Sequence, residues 1–599
     1  MIDGYPLSIM FSVQLYGSPY LALCTRRVFS LSCLIVALFV LSGCLTDSPP
    51  PTAQVPSSTT AHTAGPTPSP TSQVSTPTPK PTTTPFSPSS AVPTATSFVE
   101  PEGLERGGIL AFAVPQGPPH LDPHLTVSSA LLSWGAGQSY SRLFRFENSA
   151  NNSVIICDLC AYWVQISPIT FQITLREGVR WQNLPPVNGR ELTAQDVVFS
   201  LKRQSTPGFP NAALLTNVAD FVAVGDRDVI IRLAVPDSEV LEKLADSHSR
   251  IVAPEAVDVH GDLRQGPTVG TGSWITSEAQ PDWTSLKSNP DYYNNQLPLL
   301  DGLAIQVVPS APARVAGMRT GIIDLAQAGV DAIASATEKF DHIEWISVPN
   351  PAAGVEISMN TRRAPMNELA IREGMMLTWD PETWNGELWH EQVTMSVGLP
   401  AFSSRWQLPI NEYFSSKFND LPTAEKLVAS TGFSSEENVV IKVGEYGEQY
   451  VEQAIAMAAG LSSIGISANV ERVSTRVFGD EIWIGGNYDI AVGAPPPISS
   501  TSAYLFSVHH TDGPWNTTGY SNPEIDRLIE AQAREYDLLK RGELLRSIRR
   551  LILAGSHRFI SATHTTNWMW WDYVHDFNPR TPRGDTDFLT TTWITEKLR

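Results

Sequence analysis

The side chains able to do chemistry in this 599-residue chain are few and scattered. His509 and His510 stand beside Asp512 and could ligate a metal ion. Neighbouring residues of a strand point to opposite faces, however, so the pair is not expected to grip one ion. Cys157 and Cys160 form a C-D-L-C motif, and a redox pair, half of a metal site, a local disulfide or two buried thiols all fit that spacing. No second CxxC or HxxxH pair completes a zinc site, and no strand-then-helix context marks a thioredoxin motif, which favours the disulfide or the thiols. Neither G-x-S-x-G nor H-E-x-x-H occurs, and no nucleophile–base set can be assembled. No enzyme, no cofactor and no metal site are therefore expected. Tryptophan is abundant instead: 16 residues, among them Trp379, Trp384, Trp389, Trp406 and Trp515. Aromatic faces stack on sugar rings and apolar side chains alike, which is the chemistry of binding, although most of these rings are expected in the core.

Such groups need elements to position them, and the stretch from Asp158 to Arg203 is the most legible. Phe171, Ile173 and Leu175 alternate with Gln172, Thr174 and Arg176, the period of a half-buried strand. Glu177-Gly178 signals a turn, and Val179 and Trp181 resume the alternation. After a polar loop through Pro185, Pro186, Asn188 and Gly189, Thr193 sits three residues before Asp196, an N-cap signature. Val197, Val198, Leu201 and Phe199 would form the buried stripe of that helix. Elsewhere the pattern predicts a strand over Gly108–Val114 and a helix over Ala130–Arg142. Asn217–Asp226 reads as a helix end and Asp228–Val235 as a strand. Tyr450–Gly465 reads as an amphipathic helix burying Ile455, Met457, Ala458, Leu461 and Ile464. Gly270 and Gly272 read as a tight turn at a strand entry and not a phosphate loop, because no lysine follows.

Length allows two to four domains. The net charge of -20 argues against nucleic acid as a partner. Arg26-Arg27 precede an apolar run from Val28 to Leu41, the layout of a secretory signal and too short for a comfortable span. The run ends in L-S-G-C, which resembles the bacterial lipobox and implies lipidation of Cys44. Residues 48–98 are almost wholly Pro, Thr, Ser, Ala and Val, so an extended, disordered tether is expected.

The order of motifs resembles the extracellular solute-binding proteins of ABC transporters, family 5, the peptide and nickel type. Asp158, Leu159 and Trp163 match a D-L-A-x-x-W lead-in. Thr174–Trp181 match T-F-x-L-R-x-G-V-x-W in part, and Leu192–Ser200 match L-T-A-x-D-V-V-F-S. Leu121-Asp122-Pro123, Gly270–Trp274, Ser288–Tyr293, Tyr488–Ile490 and Tyr520–Asp526 match further segments, and Asn217–Val235 resembles the family's strand pair with a polar turn between. The resemblance spans about Arg106 to Pro579. It implies an α/β, two-lobed periplasmic-binding-protein type II (cluster C) fold with an extra domain in the first lobe. The expected division is 1–43 signal, 44–105 tether, 106–147 with 265–354 and 568–599 first-lobe core, 148–264 extra domain and 355–567 second lobe. Trp134, Gln138 and Tyr140 could face the cleft, and the expected ligand contacts are Tyr140, Asn360, Trp389, Trp406, Trp515 and Asn516. The implied partners are a small-molecule or peptide ligand, ABC permease and ATPase subunits, and the outer face of the cell membrane through the lipid anchor. One departure bears on the ligand. Family peptide binders hold the ligand's ammonium with an aspartate after the Y-D-x segment, whereas Gly493–Phe506 contains no acid. The reading is thus a lipid-anchored receptor passing an oligopeptide-like solute to an importer; a receptor for oligosaccharide or another non-peptide solute, or a sensory or chaperone-like lipoprotein without a permease, are the alternatives.

Overall fold

In the strand–turn–helix stretch, Phe171, Ile173 and Leu175 are buried on one face of the strand Thr170–Leu175. That strand lies between Cys160–Ser167 and Asp228–Leu233 in a four-stranded antiparallel sheet completed by Val218–Val224. The helix Ala194–Gln204 follows, and the Thr193 N–H donates to the Asp196 carboxylate at 2.9 Å. Val197 and Leu201 are buried, with Val198 and Phe199 packed at the edge of the same core.

The structure is a computed structural model describing residues 100–147, 154–340, 342–389, 393–396, 398–400, 406–409, 412, 417–433, 438–496, 500–579 and 587–595. The expected signal, Cys44 and the tether before residue 100 lie outside these residues. No helix among the described residues is long and apolar enough to cross a membrane.

Four local expectations need correction. Val218–Val224 is a strand, because a turn at Gly225 (φ +60°) folds it back onto Asp228–Leu233. The helix expected over Ala130–Arg142 is only the turn Ser129–Leu132 and a 3-10 turn, Ala136–Ser139. Gly135 breaks it: the chain folds so tightly that a Cβ there would lie 2.2 Å from the Ala130 carbonyl oxygen. The helix Glu448–Ser463 buries Tyr450, Val451, Ala454, Met457 and Leu461, and leaves Ile455 exposed. Gly270 and Gly272 serve close approach of two backbones, since a Cβ would meet Ser139 O at 1.9 Å and Gln138 O at 2.6 Å.

A second, eleven-stranded sheet carries the rest. One half consists of Trp274–Gln280, Trp283–Ser288, Gly302–Val307, Ile109–Val114 and Leu325–Gln327. The other half contains three parallel strands, Asn438–Gly444, Ser467–Val473 and Ile490–Gly493. Two long antiparallel strands, Ile343–Met359 and Arg558–Trp571, join the halves. Trp568–Trp570 pair with the first half through Leu325–Gln327, and Glu356–Met359 pair with the second through Ile490–Gly493. Their mutual register shifts between Pro349 and Gly354, where the paired strands pass from one half to the other.

The four-stranded domain is bonded to both halves. Asp122 of the L-D-P motif is fully buried and accepts from Arg203 at the end of the capped helix, from the Leu263 N–H and from the His124 N–H. Gln182 donates to the Trp274 carbonyl at 2.8 Å. On the opposite side Glu239 and Arg541, each 1% exposed in its side chain, form an ion pair to the helix Leu538–Gly555. Ser500 Oγ and the Ser502 N–H donate to the same carboxylate, and Ser238 N donates to Ala533 O at 2.8 Å. Cys157 and Cys160 are joined as a disulfide.

Candidate functional site

Parallel strands direct their ligands to the crevice beyond their carboxyl ends, and the pocket of interest lies there. Its floor comes from the first long strand. Val355, Ile357 and Met359 alternate into the hydrophobic core, so Glu356 and Ser358 face the other way. Arg558 of the second long strand is the residue paired with Ser358 and shares that face. The Arg558 Nη1 donates to Glu356 Oε1 at 2.6 Å, Ser358 Oγ donates to the same oxygen at 3.0 Å, and Tyr504 Oη donates to Oε2 at 2.7 Å. Burial, then the Glu356 charge, pushes the Tyr504 hydroxyl well above its ordinary pKa, so it stays a donor.

The walls are apolar and aromatic. Phe478, Ile482 and Trp483 lie on the irregular helix after Ser467–Val473, and Ala491 and Pro496 belong to Ile490–Gly493 and the segment that follows it. Trp515 and Thr517 come from the turn before the helix Pro523–Arg534. The Trp483 and Trp515 ring centroids are 6.5 Å apart with planes 23° from parallel. The enclosed cavity is about 10 Å³, room for about one water molecule, so it marks a contact point for part of a solute and is not a chamber that encloses one.

Of the expected contacts, only Trp515 lines this pocket. Asn360 and Asn516 frame it. Asn360 Nδ2 donates to Gly486 O at 3.0 Å and Tyr488 O at 3.1 Å, holding the loop below Trp483. Asn516 Nδ2 donates to His510 O and Tyr520 O, closing the turn that presents Trp515 and Thr517. Trp389 packs against His564 at 4.7 Å and donates to Gln453. Trp406 lies 4.8 Å over the Arg541 guanidinium in a separate core cluster. Tyr140 is buried in the other half of the molecule, where its carbonyl accepts from Arg250 and it lines a cavity of about 30 Å³ together with Gln138, Asp158, Tyr292, Tyr293 and Asp587. That cavity gathers several recognition motifs in one place: Asp158 accepts from the Arg142 N–H and from the Tyr293 hydroxyl, both at 2.8 Å. Trp134 packs against Trp568 at 4.5 Å in a core cluster. His509 ends the helix Thr501–His509 and His510 follows it, so neither is in a strand; His509 Nε2 lies 2.6 Å from Gly398 O. Among the described residues no group of three or more His, Cys, Asp or Glu side chains is placed to hold a metal ion.

Glu356, Ser358, Trp483 and Arg558 were not among the expected contacts. The signal for the first two was present, as polar residues alternating with Val355, Ile357 and Met359; nothing local marks Arg558 or Trp483.

Residues 156–516 match the family described as bacterial extracellular solute-binding proteins, family 5 middle. The glutathione-binding protein GsiB of Shigella dysenteriae serotype 1 is 27% identical over 258 residues, 43% of this chain and 49% of that protein. The chain thus spans about half the length of the curated relatives it matches. Among solved structures, the ABC transporter substrate-binding protein CtaP of Listeria monocytogenes superposes with a TM-score of 0.69 at 18% identity, covering 82% of this chain and 100% of that one. The periplasmic binding protein DppA of Helicobacter pylori, in complex with the peptide STSA, gives 0.63 at 20% identity, covering 82% and 98%. These likenesses show the two-lobed α/β fold.

Proposed function

The chain belongs to family 5 of the bacterial extracellular solute-binding proteins, a family of receptors and not of enzymes, and from that premise we propose that it captures an oligopeptide-like solute for an ABC importer. The observation that carries the reading is the pocket between Trp483 and Trp515, set beside the two long strands that join the halves of the sheet. A solute gripped there and by the other half would draw the two together by hinge closure. The glutathione bound by one relative and the peptide bound by another are both of the size and polarity this reading needs. Lipidation of Cys44 would hold the receptor at the outer face of the membrane, with the Pro/Thr/Ser segment as tether, and permease and ATPase subunits would be its partners.

The test is a thermal-shift screen of the full chain against peptide pools, oligosaccharide pools and Ni²⁺. A ligand at 100 times its Kd stabilises by about 2.7 kcal/mol, so a peptide pool should raise Tm by several degrees. Absence of any stabiliser would remove the reading. A second reading, a non-peptide solute, is favoured by one observation: the pocket's carboxylate is already paired with Arg558.

A further inference from the structure

We infer that the pocket takes a ligand end that carries hydrogen-bond acceptors and no positive charge, and that it rejects a free ammonium group. The inference rests on the receptor reading above and narrows its ligand class. Among the lining residues Glu356 is the one carboxylate, and it is 5% exposed. Both of its oxygens are engaged, one by Arg558 and Ser358 and the other by Tyr504, and its charge is cancelled by the guanidinium. A partly buried ammonium needs an unspent carboxylate beside it, and the sequence Gly493–Phe506, of which Pro496 lines the pocket, contains none.

The unspent groups are donors. Arg558 Nε and Trp483 Nε1 are both buried and have no acceptor among the described residues. Both residues line the pocket. Buried donors left unpaired are unfavourable, and an acceptor brought by a ligand relieves them. The rings of Trp483 and Trp515 add apolar faces for a flat or compact body. An N-acylated peptide end, with its amide carbonyl, and a sugar ring, with its hydroxyl and ring oxygens, share this chemistry.

The experiment titrates the full chain with one tetrapeptide pool prepared twice, with free α-amines and N-acetylated, and with an oligosaccharide pool. The N-acetylated or the saccharide pool should bind at least tenfold tighter than the free-amine pool, and which of the two does so identifies the source of the acceptors. Trp483→Phe keeps the ring and removes the donor; it should weaken binding of the preferred pool at least threefold at an unchanged Tm. Pro496→Asp places a carboxylate at the pocket and should shift preference towards the free-amine pool. Equal or tighter binding of the free-amine pool to the parent chain overturns the inference and leaves the receptor reading standing. Full-strength binding by Trp483→Phe also overturns it. If no pool binds, the receptor reading falls and the inference with it.

Discussion

Glu356 and Arg558 stand 202 residues apart and meet only because two long strands lie side by side. Their burial is tolerable because their opposite charges offset each other, and removing one partner from a buried pair costs about 3–5 kcal/mol. Glu356→Gln should therefore lower stability by about that much, measured by urea denaturation; a loss under about 1 kcal/mol would show that water reaches the pair. Tyr504→Phe removes one fully buried hydroxyl and should cost about 1–2 kcal/mol. At this scale the sequence was informative in one direction only. Asn360, Trp515 and Asn516 could be named from their local segments, and the structure sets them in or around the pocket. Arg558 carries no local mark, since its meaning lies in a partner that only the fold supplies. Tyr140 is a residue of a motif, and the motif residues around Asp158 meet one another in the half of the molecule away from that pocket.

Elements were legible where one local rule decided the outcome. Thr193 and Asp196 announce a helix start, and the cap is there, reinforced by Arg190, whose two Nη groups donate to the Asp196 carboxylate at 2.7 Å. Asp196→Ala removes the cap's carboxylate and leaves Arg190 with Glu255 and the Glu191 carbonyl. A lost cap costs about 0.5–2 kcal/mol, so Tm should fall by a few degrees in a thermal melt; an unchanged Tm would mean that Thr193 caps the helix unaided. The broken helix at Gly135 escaped the sequence because its cause is a contact, the Ala130 carbonyl; over Val218–Val224 the residue pattern reads as a helix end where the family resemblance implies a strand pair, and the ladder with Asp228–Leu233 decides it. Gly270 shows the same limit. Its conformation is ordinary, yet Gly270→Ala should be severely destabilising, because the added methyl would lie 1.9 Å from Ser139 O.

Across the whole molecule, buried titratable groups set the response to acid. Burial lowers His509 to about 3, with Arg558 adding to the effect, and lowers His124 and His564 to about 4; His557 is held well below its ordinary value by burial and then by His509 and Arg558. A histidine lowered in the folded state binds its proton more readily when unfolded. Its contribution is complete above about pH 6.5 and is lost as pH falls towards the folded values, at about 1.4 kcal/mol per pH unit for each. Tm should thus fall steeply between pH 6.5 and 4, and a flat profile across that window would contradict the burial of these rings. Glu239 acts lower on the scale. Burial raises its carboxyl, but Arg541 and Lys243 outweigh burial and hold it below the usual range, so its contribution is present above about pH 4.3 and fades below. That same carboxylate reaches from the four-stranded domain to the helix Leu538–Gly555, at a distance in the chain from the strands that join the two halves. A hinge motion that parts these surfaces must first unclasp a desolvated charge pair. The barrier to that step would govern the dwell time of captured cargo, so Glu239→Gln should shorten residence far more than it slows capture, which stopped-flow release kinetics would reveal as a faster escape rate at a nearly constant entry rate.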